Sequence, residues 1–84
     1  MTKQLAIITW VDAAMHGTDS LTQEEVNKEC HLIEGVAVGV IAKEDKESIT
    51  LAMDWFYNEG TYRQTHTYPK SGITKLIKKE IKSI

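Results

Sequence analysis

Six aromatic side chains carry most of the chemistry this sequence could do: Trp10, Trp55, Phe56, Tyr57, Tyr62 and Tyr68. Four of them fall between residues 55 and 62, and Arg63, His66 and Lys70 follow closely. Aromatic faces stack on nucleobases, while Arg, Lys and hydroxyl donors hold phosphate oxygens. The pattern points to binding of a small nucleotide-like ligand, with Trp10, Trp55, Tyr57, Tyr62, Arg63, His66, Tyr68 and Lys70 as the candidate contacts. Strand parity sets Tyr62 and His66 on one face and Arg63 and Thr65 on the other, so a single pocket would draw on two faces or two subunits. The plainer reading makes Trp10 and Trp55 core residues, as large aromatics in small barrels usually are. For Trp55, inward parity with Leu51 and Met53 favours burial.

Catalysis finds little support. There is no Gly-rich phosphate loop, no serine in a nucleophile elbow and no HExxH, so neither a catalytic residue nor a cofactor is expected. His16, Cys30, His31 and His66 are zinc-ligand types, but their spacing matches no standard pattern. Adjacent Cys30 and His31 would also point to opposite faces of a strand. No metal site is expected, and Cys30 reads as a buried structural thiol. Asp12 and Asp54 each lie near a tryptophan and could work as an acid–base pair. The plainer reading has Asp12 capping a loop and Asp54 facing outward.

The elements that position these residues read as mainly β. The chain has 84 residues, 42% hydrophobic and 26% charged, which suits a single soluble domain spanning residues 1–84 with one modest core. Gln4 to Val11 is a first strand, apolar on both faces. Gly17, Thr18, Asp19 and Ser20 form a loop. Ser20 with Gln23, or Thr22 with Glu25, fits a capping box for a short helix through about Glu29. Cys30 to Ala42 is a second strand in which Gly39 marks a bend or a close backbone approach. The charged turn Lys43–Glu47 leads to a third strand, Ser48 to about Tyr57, with Ile49, Leu51, Met53 and Trp55 on one face.

Asn58-Glu59-Gly60 turns the chain into a polar fourth strand, Thr61 to Tyr68, and Pro69 breaks it. In the tail, Ile73, Leu76, Ile77 and Ile81 recur at helical spacing, yet barrel closure needs a fifth strand over Ile73 to about Lys79. The expected architecture is a small five-stranded SH3-like or Sm-like barrel with one short helix after the first strand.

Charge is unevenly spread. Residues 1–60 hold four Lys against eleven acids, a balance of −7, whereas residues 61–84 hold six cations against Glu80, a balance of +5. Such asymmetry either offers a basic face to a phosphate-bearing partner or lets the two halves attract one another within the fold or between subunits. A single cysteine excludes an internal disulfide and suits a reducing compartment. Nothing resembles a signal peptide, and the longest apolar run, Val36 to Ala42, is too short to span a bilayer. The expectation is a cytoplasmic protein with no membrane partner.

Several short motifs then carry a resemblance. Ile8-Thr9-Trp10-Val11-Asp12-Ala13 is similar to the x-W-x-D-A start of a set of small proteins encoded by bacteriophages and prophages. In those a V-G-x-x-x-x-E-D turn follows, here Val38 to Asp45. A T-L-A strand follows that, here Thr50-Leu51-Ala52. Last comes P-K-x-x-I-x-x-I, here Pro69, Lys70, Ile73 and Ile77 with Leu76 beside it. Similar proteins often carry an aromatic where this chain has Val40 or Ile41, so a ligand site lined by that aromatic would be altered here.

The resemblance implies a phage-type accessory protein, in the host cytoplasm, that binds without chemistry and sequesters a host immune signalling nucleotide. Residues 41–79 are also similar in turn and strand order to the ring-forming bacterial Sm-like RNA chaperones, a likeness of architecture only. A small core and strands apolar on both faces favour a homo-oligomer. The alternatives are an Sm-like RNA- or DNA-binding barrel, which a sequence pI near 5.9 disfavours, or an adaptor for a host or virion protein.

Overall fold

The computed structural model describes residues 3–13 and 20–82. Five antiparallel strands form one sheet: β1 Lys3–Asp12, β2 Ile33–Glu44, β3 Ser48–Phe56, β4 Thr61–Pro69 and β5 Ile73–Ile81. One helix, α1 Gln23–Glu29, lies between β1 and β2, and a 3-10 turn, Lys70–Gly72, joins β4 to β5. Each expected strand is present, with ends within a few residues of those read from the sequence. The proposed loop at Gly17, Thr18 and Asp19 lies outside the described residues.

The sheet order is β4-β3-β2-β1-β5. Hairpins β1–β2, β2–β3 and β3–β4 follow one another along the chain, and β5 returns to pair with β1 from Lys3↔Ile81 to Trp10↔Ile73. The tail's helical spacing is overridden because β1 offers a full-length partner edge. In that ladder Leu76 pairs with Ile8 and packs against the core.

The expected barrel closure is not found: among the described residues no ladder joins β4 to β5, and the sheet is open. The sheet is also divided along its length, at Gly39. A Cβ there would sit 2.8 Å from the Ala52 carbonyl oxygen and 3.0 Å from Leu51 Cβ, so only glycine lets β2 cross this close to β3. The β2–β3 ladder runs from Val40↔Ala52 to Glu44↔Ile49, with an irregularity between Ile41 and Lys43. N-terminal to Val40, β2 pairs with β1 as far as Ile33↔Asp12, while β3 beyond Ala52 continues with β4 as far as Phe56↔Thr61. The sheet therefore splits into two ribbons that part at Gly39.

The outcome is an elongated molecule of 56 × 21 × 21 Å with a radius of gyration of 17.1 Å, against about 12 Å for a compact chain of this length. The core is correspondingly small. Ala6, Ile8, Ile49, Leu51 and Ala52 are buried, with Trp10, Ala37, Ile41, Tyr68, Ile73 and Leu76 packed around that centre. Two burial expectations fail, each for its own reason. Met53, placed inward by its parity with Ile49 and Leu51, is 72% exposed, because β2 has left β3 by that rung. Cys30 is exposed rather than a buried thiol, because it caps the C-terminus of a helix that buries none of its own residues.

Local signals hold well. Thr22 and Glu25 form the expected capping box, with the Glu25 N–H donating to Thr22 Oγ1 at 3.2 Å and the Thr22 N–H donating to Glu25 Oε1 at 3.2 Å. In the β2–β3 turn, Asp45 Oδ1 accepts from the Glu47 and Ser48 N–H groups, both at 2.9 Å. Those backbone donors, Glu47 first, hold the Asp45 carboxyl below its ordinary range. Gly60 closes the β3–β4 turn at φ 68°, and its N–H donates to the Phe56 carbonyl at 2.9 Å.

Candidate functional site

The eight candidate residues do not share one cavity. They fall into two aromatic groups and two ion-paired cations, each set by the strand that carries it.

The first group lies where the C-terminal ends of β1 and β4 approach. Trp10 rests over Gly35, its cross-strand partner, where a Cβ would meet the indole Nε1 at 3.3 Å. Its ring centroid lies 5.4 Å from that of Tyr68, which in turn is 6.4 Å from His66. Trp10 and Tyr68 are half-buried and pack on the core, as the plainer reading expected of Trp10. His66 and Tyr68 also line a groove of about 280 Å³ with Val36, Val38, Met53 and Gln64. Gln64 holds φ 55°, a left-handed conformation that costs a non-glycine residue about 1–2 kcal/mol. The β3–β4 ladder lapses at the Met53–Gln64 rung and resumes in the same register on either side.

The second group lies at the other end of β3. Trp55 and Tyr62 are cross-strand partners, and Tyr57 meets Trp55 edge-on with centroids 5.9 Å apart. Lys3, from the start of β1, places its ammonium 4.9 Å from the Tyr62 centroid and 5.5 Å from that of Trp55. Trp55 is half-buried but outside the core cluster. Next to it, Trp55 to Glu59 line a hollow of about 190 Å³ at the tip of the β3–β4 hairpin.

The sequence offered no signal for Lys3. Its place beside Trp55 depends on how the ribbons coil, which no local pattern records.

The remaining cations are engaged elsewhere. Arg63 Nε donates to Asp54 Oδ2 at 3.1 Å, and its guanidinium lies 5.4 Å from the Phe56 centroid, on the face away from Tyr62. Lys70 Nζ pairs with Glu44 Oε2 at 2.8 Å, and Lys78 Nζ donates to Glu44 Oε1 at 2.6 Å. Hydrogen bonds from Lys70 and then Lys78 lower the Glu44 carboxyl below its ordinary pKa. Cations from residues 61–84 thus meet acids from residues 1–60 within one fold, the plainer of the two readings of the charge asymmetry.

The catalytic candidates are apart as well. Asp12 Oδ1 accepts from the Ala13 N–H at 2.8 Å, a loop cap, while Asp54 is held by Arg63. Among the described residues no three His, Cys, Asp or Glu side chains lie close enough to hold a metal ion, and His16 lies outside those residues. Nor is any helix among them long and apolar enough to cross a membrane. No protein-family model matches this chain, and neither a curated protein nor a solved structure is significantly similar to it.

Proposed function

We propose that this chain is a non-catalytic binding protein for a small nucleotide-like ligand, and that it acts as a homo-oligomer. One observation carries the reading. Lys3 lies on the Trp55 and Tyr62 rings, and among the described residues no carboxylate pairs with it. Arg63 and Lys70 are both neutralised by acids. A planar base can stack on Trp55 or Tyr62 with Tyr57 at its edge, while the Lys3 ammonium moves to a phosphate oxygen. The site is accordingly smaller than the eight residues read from the sequence and gains Lys3. Trp10, His66 and Tyr68 belong to the other end of the sheet.

The wiring also supports the finer reading of the fold. A four-strand meander whose fifth strand returns to the first is the strand order of a five-stranded SH3-like or Sm-like barrel, here left open between β4 and β5. The resemblance to small phage proteins supplies the setting: a protein in the host cytoplasm that holds a signalling nucleotide and transforms nothing.

Isothermal titration with a cyclic dinucleotide and with ADP-ribose tests the reading. Binding by either, weakened about fivefold or more in Tyr62→Ala, is the expected result, since stacking on one ring is worth ~1–3 kcal/mol. Absence of binding by both, or binding indifferent to Tyr62→Ala, overturns it. Binding only to oligonucleotides, with affinity falling steeply as salt rises, would instead mark a nucleic-acid protein.

A further inference from the structure

Among the described residues the sheet has two outer edges, β4 and β5, and two inner ones where β2 and β3 part, and the sequence treats them differently. The outer strand β5 carries exposed Lys75, Lys79 and Glu80, and on β4 the strand ends in Pro69 after a polar run. Charged side chains and proline are the devices that stop an outer edge from pairing with another chain. Of the two inner edges, the longer belongs to β2. Among the described residues, β2 from Ile33 to Val38 has a ladder with β1 on one side and none on the other, since its ladder with β3 starts at Val40. This segment, Ile33-Glu34-Gly35-Val36-Ala37-Val38, has no lysine and no proline. Val36 and Val38 are 67% and 58% exposed, and both line the groove that also exposes Met53.

We propose that this groove is a self-association surface: a second copy of the chain seats its own β2 edge there. Residues 33–38 of the two copies would run antiparallel about a two-fold axis, with Val36 and Val38 of each packing near Met53 of the other. Antiparallel pairing of identical segments is self-complementary, as a two-fold interface requires.

The self-complementary edge makes a second copy the occupant, and the chain as a whole has surface to spare for it. The chain exposes 6503 Å², where a folded chain of this length exposes about 5,000 Å². The excess, roughly 1,500 Å², is more than the ~800 Å² that each partner buries in a standard stable interface. The left-handed Gln64 and the missing Met53–Gln64 rung lie on the groove wall, beside the exposed Met53. This inference gives a surface to the homo-oligomer of the proposed function and does not depend on the nucleotide.

Sedimentation velocity on the purified chain without ligand, from about 5 to 500 μM, tests it. The expected result is a species of twice the chain mass that grows with concentration, and a single-chain species in both Val36→Lys and Val38→Lys. Val26→Lys on α1 should associate like the wild type. Hydrogen exchange on the wild-type chain gives a reading free of substitutions, with amides 33–38 becoming slower as concentration rises. A wild-type chain that stays single throughout overturns the proposal. So does association that survives both valine substitutions, or exchange at 33–38 indifferent to concentration. Nucleotide binding that persists while association fails would separate this inference from the ligand reading.

Discussion

Gly39→Ala probes the point where the sheet divides. The new Cβ would meet the Ala52 carbonyl oxygen at 2.8 Å and Leu51 Cβ at 3.0 Å. That oxygen belongs to the backbone of the Val40–Ala52 rung, so it cannot rotate aside as a side chain would. The strands must part by roughly half an ångström or more to regain ordinary contact. Overpacking of this kind costs about 1–3 kcal/mol, while replacing glycine recovers about 0.4–1 kcal/mol by restricting the unfolded chain. The net loss is about 0–2.5 kcal/mol, centred near 1.3, and at ~4–8 °C per kcal/mol for a domain of this size the midpoint should fall by roughly 5–10 °C at that centre. Thermal and urea unfolding, followed by circular dichroism at one fixed protein concentration, measures it. Gly60, at φ 68° with nothing within 4 Å of an added Cβ, is the contrast: Gly60→Asn should stay within a few tenths of a kcal/mol, since Asn tolerates the left-handed region. A Gly39→Ala midpoint at or above that of the wild type would refute the close crossing of β2 over β3.

Other perturbations follow from the same geometry. Ile49→Ala empties one of the two largest fully buried side chains. It should cost ~2–5 kcal/mol, a large share of a core this small, and show as a population unfolded at 37 °C in the same assay. Thr22→Ala removes the Oγ1 acceptor of the capping box and leaves only its backbone N–H bonded to Glu25, at a local cost of ~1 kcal/mol. Because α1 buries no residue, helical ellipticity and amide protection over residues 23–29 should drop while the global midpoint stays put.

The lowered carboxyls of Glu44 and Asp45 stabilise the fold above their unfolded pKa values, about 4. That contribution disappears as pH falls through their depressed folded values. Glu44→Gln should lower stability at pH 7 by ~1 kcal/mol or less, since the lysines are partly solvated. It should also flatten the acid limb of a stability-against-pH curve, and an unchanged limb would show that the Lys70–Glu44–Lys78 cluster contributes nothing.

Features fixed by neighbours in sequence were legible from the residues alone. The Thr22–Glu25 box, the Gly60 turn and the break at Pro69 each depend on a few consecutive side chains, and each is present. The alternation of the third strand was legible only as far as Leu51. Burial beyond that point depends on whether β2 stays alongside, and Gly39 was read as a bend without showing which way β2 would leave. Cys30 failed for a related reason, since nothing local says whether a short helix will dock. In the candidate site, strand parity correctly separated Tyr62 from Arg63. It could not pair Arg63 with Asp54 or Lys70 with Glu44, nor bring Lys3 to Trp55, because these meetings depend on the coiling of whole ribbons.

The proposed ligand face and the proposed dimer edge both depend on a sheet left open between two ribbons. Isotope-filtered nuclear Overhauser spectroscopy, which separates contacts within one chain from those between copies, tests this most directly. Within one chain, cross-peaks should run along β3–β4 to Phe56 and Thr61 and along β1–β2 to Asp12 and Ile33. None should join β4 to β5, or residues 33–38 to residues 54–56. A continuous set of intrachain cross-peaks between β4 and β5 would mean a closed barrel and would contradict the account.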